Sequence, residues 1–254
     1  MVEIVIAGVQ KCGTTALHKY LCCHPQIVGG HKKEIHYFDD PTVNWSRPDY
    51  AIYDAQFPAR KPGQMRLDAS PSYIYLPHCL DRLRACNPEV RLILLFRDPI
   101  ERAWSHWAMA TRRRRETLGF DAAIRAERRR IAAYPPGDIG YKACAYLDRG
   151  FYGRQLSRAL DLFPRDRILC LASEMLKANP AAVLAQVSTH LGIAPFGLVQ
   201  PLELNKGPGR PITMEPGTRA FIQEMLQDDI RLFSRLSGLY TGHWSLFSDP
   251  QPAS

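Results

Sequence analysis

Residues 4–20, IVIAGVQKCGTTALHKY, limit the possible folds more than any other stretch. They read as a short buried strand, a turn bounded by Gly8 and Gly13, and a helix whose first residues are Thr14 and Thr15. A strand running through such a turn into a helix aims several backbone N–H groups at one spot. The positive end of the helix dipole points there too, which suits a phosphate or sulfate.

Apolar runs at 3–7, 65–68, 91–96 and 167–172 read as buried strands. Helical stretches lie at 14–23, 77–86, 99–113, 120–133, 150–163 and 180–191, and a long amphipathic segment covers 215–239. This alternation predicts an α/β fold with a central, mostly parallel sheet flanked by helices. A chain of 254 residues suits a single domain of that kind. Ligands of such sheets sit beyond the carboxyl ends of the strands, so the loops after residues 7, 68 and 96 are expected to converge on one cleft. Residues 24–62, with Pro25, Pro41, Pro48, Pro58 and several aromatics, read as an irregular cover over it. Loops are expected at 135–140 and 205–216, and a frayed tail at 248–254.

The formal net charge is +8, with arginine clusters at 112–115 and 128–130. They read either as a solvated surface or as an anion-attracting rim. No aromatic-interleaved basic module indicates a nucleic-acid partner. No apolar run approaches the ~20 residues of a membrane span. The N-terminus enters a strand directly, without the basic and apolar regions of a secretory signal. The seven cysteines are odd in number and form no C-x-x-C, the usage of reduced thiols. Together these features predict a cytoplasmic protein. No metal-ligand spacing is found.

Gly8-x-x-x-x-Gly13 imitates the nucleotide-binding P-loop, yet Thr14-Thr15 stand where that motif has Lys-Ser/Thr, and the lysine, Lys11, lies inside the turn. By itself the loop leaves open which anion it takes. After the third of these strands, Arg97 is followed by Pro99, a residue tolerated at a helix start, and eight positions on by Ser105, about two helical turns away. An arginine and a hydroxyl on one rim can bind a second phosphate. Alternatively, Arg97 pairs with Asp98 or Glu101 and Ser105 caps local backbone. In KKEIHYFD (32–39), an extended chain would place Glu34, His36 and Phe38 on one face. Glu34 could act as a general base, a role worth ~10²–10⁴ in rate, or could pair with Lys32 or Lys33 on a surface.

Taken together these pieces resemble the sulfotransferases that use 3′-phosphoadenosine-5′-phosphosulfate (PAPS), in the branch of the heparan sulfate N- and 3-O-sulfotransferases and their bacterial relatives. QKCGTTALHKYLCCHP is similar to that family's 5′-phosphosulfate loop, LILLFRDPIERAWSHW to its 3′-phosphate motif and KEIHYFD to its catalytic segment. The resemblance implies that Lys11 contacts the bridging oxygen and sulfate, while Cys12, Gly13, Thr14 and Thr15 hold the 5′-phosphate. It assigns the 3′-phosphate to Arg97 and Ser105. Glu34 would deprotonate the acceptor, beside His36 and Asp39. Tyr152 matches a family tyrosine near the nucleotide, and Lys206 or Arg210 would supply the cation of a late loop over it. The implied domain covers 1–247, with 248–254 as a tail. No metal is needed, and the implied partners are the nucleotide cosubstrate and a hydroxyl-bearing acceptor.

LDASPSYIY (67–75) departs from the heparan sulfate enzymes, which carry a lysine where Ala69 stands. The sequence is also expected to have neither that family's late disulfide pair nor a Golgi anchor. The departures favour a small-molecule, lipid or saccharide hydroxyl over a polyanionic glycan, with an amine second; the arginine clusters keep an acidic acceptor in view. Trp45, Tyr50, Tyr53, Tyr73 and Tyr75 either line an acceptor pocket or pack in the core. The rival functions are a P-loop-type nucleotide kinase, against which Thr14 in the lysine position argues, and a non-catalytic PAPS-binding protein.

Overall fold

The structure is a computed structural model that describes residues 1–135, 138–197 and 212–247. In chain order the elements are β1 (Ile4–Gly8), α1 (Thr14–Cys22), β2 (Ile27–Gly29), α2 (Tyr50–Asp54), β3 (Met65–Asp68), α3 (Pro77–Cys86), β4 (Arg91–Phe96), α4 (Pro99–Arg112) and α5 (Phe120–Ala132). They continue as α6 (Ile139–Ala143), α7 (Tyr152–Leu162), β5 (Ile168–Ala172), α8 (Ser173–Ala178), α9 (Pro180–Leu191) and α10 (Pro216–Ser237). The fold is α/β. Its five-stranded sheet has the order β2-β3-β1-β4-β5, and every pairing is parallel.

The described residues form two compact units. The first holds residues 1–96 and 158–197, and with them the whole sheet. β1 lies at its centre, with Ile4 opposite Leu67 on one side and Arg91 on the other. All five residues of β1 are buried, as are the last five of β4, so these strands read as continuous apolar runs instead of alternating ones. The second unit holds residues 97–157 and the C-terminal segment with α10. Here Trp104 and Trp107 pack on Phe120, and Tyr152 packs on Phe233 and Trp244.

Helix starts follow local chemistry. Asp98 caps α4 by accepting from the N–H groups of Ile100 (2.8 Å) and Glu101 (3.1 Å), with Pro99 in the first turn. Asn179 does the same for α9, which Gly192 ends at φ 66°.

Stretch 24–62, expected to be irregular, contains β2 and α2. β2 is three residues long and gains its backbone partners from β3, across the sheet, so its own sequence carries little strand signal. α6 and α8 were not expected; each is too short to develop a helical period. α6 starts inside the stretch expected to be a loop at 135–140. Most of the loop expected at 205–216, and the tail at 248–254, lie outside the described residues. Among the described residues no helix is long and apolar enough to cross a membrane.

Candidate active site

In the first unit, β1 delivers the chain into the glycine turn. A Cβ at Gly8 would lie 2.2 Å from Ile74 Cγ2, so only glycine fits against the segment that follows β3. Lys11 and Gly13 both adopt the left-handed region, with φ 72° and 94°, which gives the turn its tight reversal. Gly13 is exposed and serves as the N-cap of α1, Thr14 is buried and Thr15 half-buried. The first turn of α1 contains no acidic side chain, so nothing there competes with an incoming anion for the helix dipole. Cys12 faces inward: it is fully buried and its N–H bonds to the Val9 carbonyl at 3.2 Å.

At the carboxyl end of β3, against Ser70 and Ser72, lies the acidic segment. Its chain is not extended. Glu34 and His36 have φ 63° and 60°, and Ile35 between them is buried. Phe38 does not share their face: it is fully buried, with ring centroids 4.9 Å from Tyr53 and 5.5 Å from Tyr73. The aromatic core pulls this end of the segment inward, which alternation along the sequence does not reveal. The same packing accounts for Tyr53 and Tyr73; Tyr75 is buried as well, and only Trp45 and Tyr50 of that set keep partial exposure.

Around the segment runs a chain of charges. Lys33 Nζ meets Glu34 Oε1 at 2.5 Å, Glu34 Oε2 lies 3.4 Å from His36 Nε2, and His36 Nδ1 donates to Asp39 at 3.0 and 3.1 Å. Ser72 Oγ donates to Asp39 Oδ2 at 2.9 Å, while the His36 N–H bonds to Ser70 Oγ at 3.3 Å. Ser70 in turn donates to the buried Asp68 at 2.8 Å. The hydrogen bond to Asp39, then that to Glu34, raises the His36 pKa to about 9, so its ring is a cation at neutral pH and donates from both nitrogens. The His36 contact, followed by Lys33, holds the Glu34 carboxyl down at about 2 against the opposing effect of burial. Burial alone pushes Asp68 upward, its hydrogen-bond donors acting in the other direction.

Sequence reasoning missed Ser70 and Ser72. The SPSY segment signalled a turn, but a serine hydroxyl aimed at a carboxylate over thirty residues away leaves no local pattern.

The second unit contains Arg97, Ser105 and Tyr152. Arg97 directly follows β4, and its Nε and Nη2 meet Glu101 Oε2 at 2.7 and 2.5 Å. The i,i+4 pairing weighed from sequence is therefore present, and Asp98 is occupied as a helix cap instead. Ser105 is half-buried one turn beyond Glu101. Tyr152 is fully buried and donates its hydroxyl to the Arg97 carbonyl at 3.0 Å. Lys206 and Arg210 lie outside the described residues. Among the described residues no group of three or more His, Cys, Asp or Glu is placed to hold a metal ion.

Residues 2–202 match the family described as Sulfotransferase domain. Heparan sulfate glucosamine 3-O-sulfotransferase 3B1 of Mus musculus is 30% identical over 193 residues, covering 75% of this chain and 46% of that protein. The bifunctional heparan sulfate N-deacetylase/N-sulfotransferase 2 of Homo sapiens is 24% identical over 205 residues, covering 76% of this chain and 22% of its own length. The chain thus spans about half or less of the length of these curated relatives. Among solved structures, a sulfotransferase from Alicyclobacillus acidocaldarius superposes with a TM-score of 0.78 at 26% identity, covering 96% of this chain and 98% of that one. The parallel sheet, the turn after β1 and the match across most of the sequence lead to one assignment: the chain belongs to the sulfotransferase family.

Proposed function

We propose that the protein transfers a sulfuryl group from PAPS to the hydroxyl of a small-molecule, lipid or saccharide acceptor, with residues 1–247 as the catalytic domain. The reading is carried by the Glu34–His36–Asp39 chain, which sits at the carboxyl end of β3, beside the strand that feeds the glycine turn. Two features, each taken within its own unit, support the reading of an anionic donor. A left-handed, exposed Gly13 opens a helix with no acid in its first turn, and Arg97 stands between β4 and α4, whose second turn carries Ser105.

When bound, the donor supplies an already activated sulfuryl group, so the protein needs no covalent nucleophile. Gly13, Thr14 and Thr15 hold the 5′-phosphate through backbone N–H groups. Lys11 and the α1 dipole stabilise the negative charge that grows on the departing phosphate oxygen. Arg97 and Ser105 hold the 3′-phosphate. Glu34, ionised throughout the neutral range, accepts the acceptor's proton. With its pKa near 2 it is a weak base, so it takes that proton late, as the attacking oxygen becomes acidic. His36, held by Asp39, orients Glu34.

Acceptor charge follows from the same cluster. Lys33, Glu34, His36 as imidazolium, and Asp39 sum to no net charge, and Ala69, 1% exposed, adds no cation. A self-neutralised base region favours an uncharged hydroxyl over a polyanionic chain.

The test combines nucleotide binding with transfer of labelled sulfate from PAPS to a panel of hydroxyl acceptors. Glu34→Gln is expected to bind 3′-phosphoadenosine 5′-phosphate as the unaltered chain does and to lose transfer. Unchanged turnover would remove Glu34 as the base. A larger thermal shift with ATP-Mg²⁺ than with the bisphosphate would support a kinase instead.

A further inference from the structure

Arg97 already has an anion. Both Nε and Nη2 converge on the single oxygen Oε2 of Glu101, four residues on along α4. The backbone beneath this pair is fixed from two sides. Asp98, held by burial above the ordinary carboxylate range, caps the first turn, and the buried Tyr152 hydroxyl grips the Arg97 carbonyl. Only the two side chains are left to move. Glu101 is the more open partner, 43% exposed against 23% for Arg97, and Ser105 lies one turn further along the same helix.

A one-oxygen ion pair this exposed is worth about 0.2–1 kcal/mol, whereas a phosphate dianion can engage both arms of the fork. A carboxylate held this weakly can give way to a phosphate dianion. We propose that Glu101 is a resident anion that releases Arg97 to the nucleotide's 3′-phosphate and reclaims it when the nucleotide leaves. Glu101 thereby sets the selectivity for nucleotides carrying that phosphate. This inference rests on the reading of Arg97 as the 3′-phosphate ligand.

The experiment measures calorimetric affinities of the unaltered chain, Glu101→Gln and Arg97→Ala. The two probes are 3′-phosphoadenosine 5′-phosphate and adenosine 5′-phosphate, which lacks the 3′ group. Glu101→Gln is expected to bind the bisphosphate roughly 1.5- to fivefold more tightly, with affinity for the monophosphate unchanged. The gain is expected to shrink as salt rises, because it is electrostatic and exposed. Weaker bisphosphate binding in Glu101→Gln would make Glu101 a support for Arg97 and overturn the proposal. Equal tightening for both nucleotides, or no change in either, would overturn it as well. Arg97→Ala isolates the underlying reading: a loss confined to the bisphosphate sustains it whatever Glu101→Gln does. Equal losses for both nucleotides would remove the 3′-phosphate assignment itself.

Discussion

Replacing Asp39 with asparagine tests the charge chain without adding or removing an atom of bulk. The Asp39 side chain is 1% exposed and receives two donors, His36 Nδ1 at 3.0 Å and Ser72 Oγ at 2.9 Å. With the amide oxygen in the Oδ2 place, which receives Ser72 Oγ and lies 3.1 Å from His36 Nδ1, both donors keep an acceptor while the NH2 takes the Oδ1 place and the negative charge is lost. Asp39 is the largest single cause of the raised His36 pKa, which stands at about 9 against an ordinary 6.5. His36 is 46% exposed, so water reduces the effect to the order of 1–2 kcal/mol. The proton-detected titration of the His36 ring nitrogens from pH 5 to 10 reads it directly. The unaltered chain is expected to titrate near 9, and Asp39→Asn at least one pH unit lower. Stability should follow with a definite sign. A raised histidine pKa contributes stability that is complete below 6.5 and is lost as pH rises through about 9. The fall in melting temperature over that window should flatten in Asp39→Asn. A ring that titrates near 6.5 in the unaltered chain, or at the same pH in both, would refute the reasoning.

Two further outcomes are expected. Lys11→Ala should lower turnover by ~10²–10³ while the bisphosphate product still binds, because the cation acts on charge that develops during transfer; steady-state kinetics beside calorimetry checks this, and a loss seen only in binding would contradict it. Gly8→Ala should destabilise the chain by about 1–3 kcal/mol, since its Cβ would meet a β-branched side chain whose N–H is pinned to the Ala7 carbonyl at 2.9 Å; urea denaturation showing a change below about 0.5 kcal/mol would sink that argument.

The elements most legible from sequence were those that carry their own signal. β1, β4 and α4 combine apolar runs or a helical period with a glycine, aspartate or proline that marks an end. The α/β class followed from their alternation, and the parallel sheet bears it out. β2 exists because β3 offers it backbone partners, information that no window of residues 27–29 contains. Within the acidic segment, residue type pointed to Glu34, and the family resemblance added His36 and Asp39. The left-handed backbone at Glu34 and His36, and the serine hydroxyl that steadies Asp39, come from packing against the turn after β3. Those are long-range contacts, so an extended reading of the segment misplaced Phe38.

From the sequence alone, a local ion pair and a ligand contact look like competing explanations of one charged residue. On the proposal made for Arg97, they become successive states of the same residue. Lys33 rests on Glu34, and Arg97 rests on Glu101. Each cation in these pairs has a carboxylate close by in sequence, one residue away or one turn of helix away. Such pairs are weak because both partners reach solvent, and weakness is useful in a site that must admit and release charged ligands. A guanidinium locked in a buried pair could not be exchanged without exposing an uncompensated charge, at several kcal/mol. Finding Arg97 paired therefore does not count against a ligand role. What would count against it is a pair too strong to open, and the exposure of Glu101 argues that this one opens.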